Sequence, residues 1–256
     1  MPVSEGGFVW YDLMTQDAAA VRDFYTAVVG WQAADVGMPG IDYTLLRVGE
    51  RPVAGLAEMP QGLNVPVRWM GYILASDVDG MAERVKQAGG HVHRAPDDIP
   101  GVGRFAVVSD PQGAAFMLFR GDGTAPPDLA PFTPGAIGWH ELHTHDWETA
   151  FPFYEDLFGW TKSQTVDLGP MGAYQTFSLG DAWMGGMMNN PQAPTPFWLY
   201  YFIVEDIDAA VTRVADAGGA LLRPPHPVPG GSWIVQATDP QGTMFALVGP
   251  RDEGIR

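Results

Sequence analysis

The sequence predicts an α+β fold written twice, as two tandem domains that each contain two βαβββ modules. Three observations carry this: motifs that recur at one fixed spacing, a Pro- and Gly-rich connector between the recurrences, and a second division inside each copy. The segment from Asp17 to Phe24-Tyr25 recurs as Asp146 to Phe153-Tyr154, and Gly30-Trp31 recurs as Gly159-Trp160. Asp77-Val78-Asp79 returns as Asp206-Ile207-Asp208, and Ala88-Gly89-Gly90 as Ala217-Gly218-Gly219. Asp110-Pro111-Gln112-Gly113 returns as Asp239-Pro240-Gln241-Gly242. Asp17 and Asp146, Asp77 and Asp206, and Asp110 and Asp239 are each 129 positions apart, a register that chance does not produce.

Between the copies, the run from Gly121 to Asp128 and the nearby Pro131 and Pro134 form an extended connector. The expected domains are residues 1–121 and 135–256, with 122–134 as linker. In the first copy the pattern reads strand from Phe8 to Leu13, helix from Asp17 to Val29, then strands at Tyr43 to Val48 and Val53 to Ala57. Its second half reads strand from Met70 to Ala75 and helix from Asp79 to Ala88. Strands at His91 to Arg94, Phe105 to Val108 and Ala115 to Phe119 follow. Asp17 and Asp146 stand where an N-cap belongs, before an apolar 3.6-residue period. Gly89-Gly90 and Gly218-Gly219 stand where helices stop. Asp-Pro-Gln-Gly is a tight-turn tetrad before a last apolar strand. Pro152 lies inside a helix and is expected to bend or shorten it.

Composition bounds the function. In 256 residues, 46% are hydrophobic, enough for a sizeable core. No apolar run approaches the roughly 20 residues that span a bilayer, and the N-terminus lacks signal-peptide features. A cytoplasmic protein is expected. The absence of cysteine excludes disulfides, thiolate catalysis and Cys-ligated metals. A net charge of −16 repels phosphate backbones and anionic lipid, so no nucleic-acid or membrane partner is expected. The charge serves solubility or attracts a cationic ligand. Nine Trp supply flat apolar area for a core or a planar ligand.

The doubled Asp-x₆-Phe-Tyr helix, Gly-Trp, Asp-x-Asp, Ala-Gly-Gly and Asp-Pro-x-Gly motifs resemble the vicinal oxygen chelate superfamily. That group includes glyoxalase I, extradiol dioxygenases, fosfomycin resistance proteins and bleomycin-binding proteins. The chain is most similar to tandem glyoxalase-like proteins of actinobacteria, often labelled hydroxylases, some of them encoded beside aromatic polyketide pathways. The resemblance implies that two βαβββ modules curl into an incomplete barrel around a cleft. It also implies a divalent metal there, with ligands seven residues before the first-helix Asp, seven before the second-helix Asp, and seven after the turn Asp. Here those places hold Trp10, Met70 and Met117, and in the second copy Trp139, Leu199 and Ala246. None supplies the imidazole or carboxylate that a hard divalent ion needs. A thioether suits copper(I) at best. No metal and no cofactor are expected.

What remains is an aromatic, apolar site with a few polar groups. Strand parity puts Trp10 with Asp12, Trp139 with Glu141 and His143, Met70 with Tyr72, and Leu199 with Tyr201. Tyr43 and Tyr174 fall on the third strand of their modules. Asp12 and Glu141 either accept hydrogen bonds from a ligand, or pair with its ammonium, or are satisfied structural carboxylates. Trp10 and Trp139 either pack the core or line a pocket. Glu141, His143 and His145 alternate on one strand, where His-x-His can bind zinc, but the first and last lie roughly 13 Å apart at ~3.3 Å per residue, so only adjacent members could share one ion. His143 beside Glu141 suits a general base, and His145 a solvent-facing place. Arg94 and Arg223 either clamp an anion or mark surface strand ends, while Arg104 and Trp233 could edge a pocket.

The leading expectation is a metal-independent protein that binds a small aromatic molecule, such as a natural product or antibiotic. Its role would be sequestration, resistance or an accessory step in biosynthesis. One alternative is a metal-independent isomerase, cyclase or hydrolase using Glu141 and His143. Another is a metal-dependent glyoxalase or dioxygenase. The chain is expected to be a monomer or homodimer.

Overall fold

The computed structural model describes residues 4–38, 41–60, 62–63, 65–123 and 129–251. The first copy runs β1 (Phe8–Thr15), α1 (Ala18–Val29), β2 (Gln32–Met38), β3 (Ile41–Val48) and β4 (Arg51–Glu58). It continues with β5 (Trp69–Leu74), α2 (Val78–Gln87), β6 (His91–Ile99), β7 (Gly103–Ser109) and β8 (Ala115–Gly121). The second copy runs β9 (Ile137–Thr144), α3 (Trp147–Phe158), β10 (Thr161–Asp167), β11 (Ala173–Leu179) and β12 (Ala182–Asn189). It ends with β13 (Phe197–Ile203), α4 (Ile207–Asp216), the short β14 (Ala220–Leu221) and β15 (His226–Pro227), then β16 (Trp233–Thr238) and β17 (Met244–Gly249). The four βαβββ modules expected from the sequence are present. The sequence reading gave no span to β2.

Each copy forms one mixed sheet. The strand order is β2-β3-β4-β1-β5-β8-β7-β6 in the first and β10-β11-β12-β9-β13-β17-β16-β14 in the second, with β15 on β16. Both sheets are open. β1 pairs β4 in parallel and β9 pairs β12 likewise, in register at Asp12↔Gly55 and Glu141↔Gly186.

Helix ends follow the sequence. The Asp17, Asp77, Asp146 and Asp206 side chains each accept a backbone N–H of the first turn, so all four repeated Asp are N-caps. Gly30 and Gly159 close α1 and α3 in the left-handed region. Pro152 does not shorten its helix: α3 has 12 residues, as α1 does without a proline. The buried face of Trp147, Ala150, Phe151, Phe153, Tyr154, Leu157 and Phe158 outweighs the one hydrogen bond that proline removes. Of the connector, residues 124–128 lie outside the described residues.

Contacts group the chain into two compact units that cut across the repeat. One comprises Met1–Trp10, Met70–Asp128 and Trp139–Trp198. Its core is aromatic: Tyr154 stacks on Trp160 at 4.9 Å, Trp160 on Phe177 at 4.5 Å, Trp198 packs edge-on against Trp160, and Phe116 edge-on against Phe158. The Trp160 indole N–H donates to the Gly6 carbonyl. The other unit comprises Tyr11–Trp69, Leu129–Gly138 and Leu199–Arg256. There Tyr25 meets Trp69 and Phe245 edge-on, and the Trp31 N–H donates to the Gly135 carbonyl. The repeated Phe-Tyr and Gly-Trp motifs thus build equivalent cores.

The Asp-Pro-Gln-Gly turn explains why its partner helix comes from the other copy. Asp110 accepts the N–H groups of Gln112 and Ala114 with one oxygen and the Tyr154 hydroxyl with the other. The Gln112 carbonyl oxygen accepts from Thr144 and the Asp146 N–H, and its amide donates to the Asp146 carbonyl and Thr149. In the other unit Asp239 accepts from Tyr25, and Gln241 holds Thr15 and the Asp17 carbonyl. Each turn therefore latches the start of the helix that follows β1 or β9.

Candidate functional site

Among the described residues, a polar constellation lies wholly within the first of these units, on β9, β11, the residue just after β12 and the start of β13. The Trp139 indole N–H donates to the Tyr174 hydroxyl at 2.7 Å. That hydroxyl donates to Glu141 Oε2 at 2.9 Å. Glu141 Oε1 accepts from His143 Nε2 at 2.7 Å. The Asn190 amide meets His143 Nδ1 at 3.4 Å, and the imidazole stacks on Phe197 with centroids 4.7 Å apart and planes 9° from parallel. Glu141 and His143 are both 5% exposed. A buried carboxylate is costly without partners, and this one has a donor on each oxygen.

β-Strand parity places Trp139, Glu141 and His143 together. The glycine opposite Glu141 lets Tyr174 reach it, because a Cβ on Gly186 would collide with the Tyr174 ring. The second unit repeats the device. There the Tyr43 hydroxyl donates to Asp12 at 2.6 Å, and a Cβ on Gly55 would collide with both groups. Tyr43 and Tyr174, like Gly55 and Gly186, are 131 positions apart. His143 has no counterpart there, since Met14 takes its place.

Other expected site residues separate from these. Trp10, Met70, Tyr72 and Met117 pack together in the first unit with Phe105, Val9, Ile99, Val107 and Phe119, and Tyr72 and Met117 are buried. Leu199 and Tyr201 belong to the second unit and are buried, with Tyr201 paired to Ala246 and its hydroxyl accepting from Gln236 at 3.3 Å. β9 ends at Thr144, so His145 leaves the strand. It is exposed and its ring meets the Ala193 carbonyl. Arg104 is clamped by Asp79 and Asp98. Trp233 instead lies under the Arg251 guanidinium, which takes the Asp79-equivalent Asp208. Arg94 pairs with Asp97 and lies over Phe105.

Sequence reasoning missed Asn190, Phe197 and the two glycines. A glycine inside a strand pattern is the one signal that marks such close approaches; nothing in the sequence ties Asn190 to His143. It also passed over His140 of β9, which stacks on Phe8 at 4.2 Å and meets the Met184 carbonyl through Nδ1. Burial pushes its imidazole down to about 4, so it is neutral near pH 7. Burial raises the Asp110 and Asp239 carboxyls, and their hydrogen bonds oppose that in part.

The family's metal ligands are not matched by the donors present. The six corresponding side chains are indole, thioether or alkyl. Among the described residues no group of three or more His, Asp and Glu gathers in metal-binding geometry.

Residues 7–118 and 136–247 each match the model of the Glyoxalase/Bleomycin resistance protein/Dioxygenase superfamily. The chain belongs to that superfamily. It is 34% identical over 246 residues to the putative glyoxylase CFP32 of Mycobacterium tuberculosis, covering 94% of each chain. It is also 34% identical over 263 residues to the anthracycline biosynthesis protein DauV of Streptomyces sp. strain C5, covering 96% of this chain and 94% of that one. Among solved structures, it resembles the Mn(II)-bound glyoxalase from Novosphingobium aromaticivorans with a TM-score of 0.69 at 19% identity. That match covers 96% of this chain and 82% of the other. The 2,2',3-trihydroxybiphenyl 1,2-dioxygenase of Sphingomonas wittichii gives 0.67 at 15% identity, over 96% and 90%. At such identities the likeness is one of fold. The superfamily and the tandem architecture expected from the motifs are thereby established.

Proposed function

We propose that this superfamily member binds a small aromatic molecule without a metal, in the cytoplasm, and serves natural-product biosynthesis, sequestration or resistance. The carrying observation is the Trp139–Tyr174–Glu141–His143 network with Phe197 stacked on its end. Indole, phenol and phenyl faces around a few fixed polar groups are what planar ligands select. The absence of hard donors at the six family positions supports the metal-independent part, and the likeness to an anthracycline biosynthesis protein supports the ligand class. Titration of tryptophan fluorescence with anthraquinones and related polyketides tests it. Quenching should saturate, and Trp139→Ala should weaken it about tenfold. No quenching by any planar aromatic would sink the reading.

The 2.7 Å contact between His143 and Glu141 favours one alternative, a metal-independent acid–base enzyme. It requires turnover that survives EDTA and collapses in Glu141→Gln or His143→Ala. Metal-dependent glyoxalase or dioxygenase chemistry would instead require a stoichiometric metal, which elemental analysis of the purified protein reads directly.

A further inference from the structure

We propose that His143 selects the ligand, with its Nδ1 accepting a hydrogen bond from an acidic hydroxyl, a phenol or enol, on the bound aromatic. This rests on the aromatic-binding function above. An ionised carboxylate only accepts, so Nε2, 2.7 Å from Glu141 Oε1, is the nitrogen that carries the proton of a neutral His143 ring. In that neutral tautomer Nδ1 is a lone pair. Among the described residues it is met by the Asn190 amide at 3.4 Å, well beyond the roughly 2.9–3.0 Å of a well-formed bond. A buried acceptor held so loosely gains most from a stronger donor. Stacking on Phe197 fixes the ring plane and so the direction of that lone pair.

Each Glu141 oxygen already accepts a protein hydrogen bond, from His143 and from Tyr174, so the carboxylate is partnered within the protein. Glu141, held in turn by Tyr174 and Trp139, is a positioning residue that sets the His143 tautomer. Met14 in place of His143 confines this acceptor to the second copy.

The test compares 2-hydroxyanthraquinone with 2-methoxyanthraquinone, which keeps the ring system and loses the donor, by calorimetric titration of the full chain. The hydroxyl compound should bind about tenfold more tightly. His143→Phe keeps the stack and should bind the two alike. Glu141→Gln places an amide donor against Nε2, moves the ring proton to Nδ1, and should also abolish the preference. Nitrogen-15 NMR of the wild-type protein at neutral pH should show Nδ1 unprotonated. Equal binding of the two compounds, a preference that survives His143→Phe, or a protonated Nδ1 overturns this inference and leaves aromatic binding standing. Failure of every planar aromatic to quench tryptophan fluorescence overturns both.

Discussion

Tyr174 is the pivotal residue of the β9 network, since its hydroxyl receives the Trp139 proton and gives its own to Glu141. Tyr174→Phe removes both bonds and should cost about 1–3 kcal/mol of unfolding free energy in urea. In the second unit, Tyr43→Phe and Gly55→Ala attack one hydrogen bond from opposite sides, because the new Cβ takes the place of the Tyr43 hydroxyl. Their combination should therefore cost clearly less than the sum of the two, a coupling that a double-mutant cycle reads. Parity made the acids legible in the sequence, and spacing put the tyrosines on their strands. Which oxygen meets which donor depends on a strand register that parity alone does not supply. The carboxylates were left open between ligand contact and structural satisfaction, and protein partners now account for both oxygens of Glu141.

At the scale of elements, the Asp-Pro-Gln-Gly turns do more than reverse the chain. Gln112 fastens one turn to the end of β9 and the first turn of α3, and Gln241 fastens the other to β1 and α1. Gln112→Ala leaves the Asp146 N–H and the Thr144 hydroxyl without that acceptor. It should lower unfolding free energy by about 1–3 kcal/mol, with hydrogen exchange rising first at the α3 N-terminus. Gln112→Glu, which keeps an acceptor, should cost less. The sequence identified the tetrad as a turn from its Pro and Gly. It could not reveal a latch whose two halves lie 32 to 37 positions apart in one unit and 224 to 226 in the other. Pro152 teaches the converse: a local rule predicted a bent or shortened helix, and a wide aromatic face keeps it at its full 12 residues.

For the molecule as a whole, acid should be destabilising through His140. Its folded value of about 4 lies below the unfolded 6.5, so between these the unfolded chain binds the extra proton. The stabilisation is complete above about pH 6.5 and fades as pH falls toward 4, by at most about 3 kcal/mol. His140→Phe keeps a ring against Phe8 and should flatten the stability profile in that window relative to wild type. Asp110 and Asp239 act with the opposite sign. Their raised folded values contribute stability in the protonated form, which is lost as pH rises through them. The comparison must therefore be made against the His140 variant rather than read from the wild-type slope alone. Binding of aromatics should persist after dialysis against EDTA, with no stoichiometric metal by elemental analysis.

Among the described residues no helix is long and apolar enough to cross a membrane. The sequence by itself determined the doubled βαβββ architecture, the N-caps and the superfamily. Each of these is local, or repeats at one offset, so it survives being read in one dimension. Only the tertiary structure decided which modules share a compact unit, that Trp31, Trp69, Trp160 and Trp198 are buried in the core, and that Glu141 meets His143 at hydrogen-bond distance. Those outcomes depend on burial and on contacts between distant strands. Composition and parity constrain such contacts, but the packing of the folded chain chooses among them.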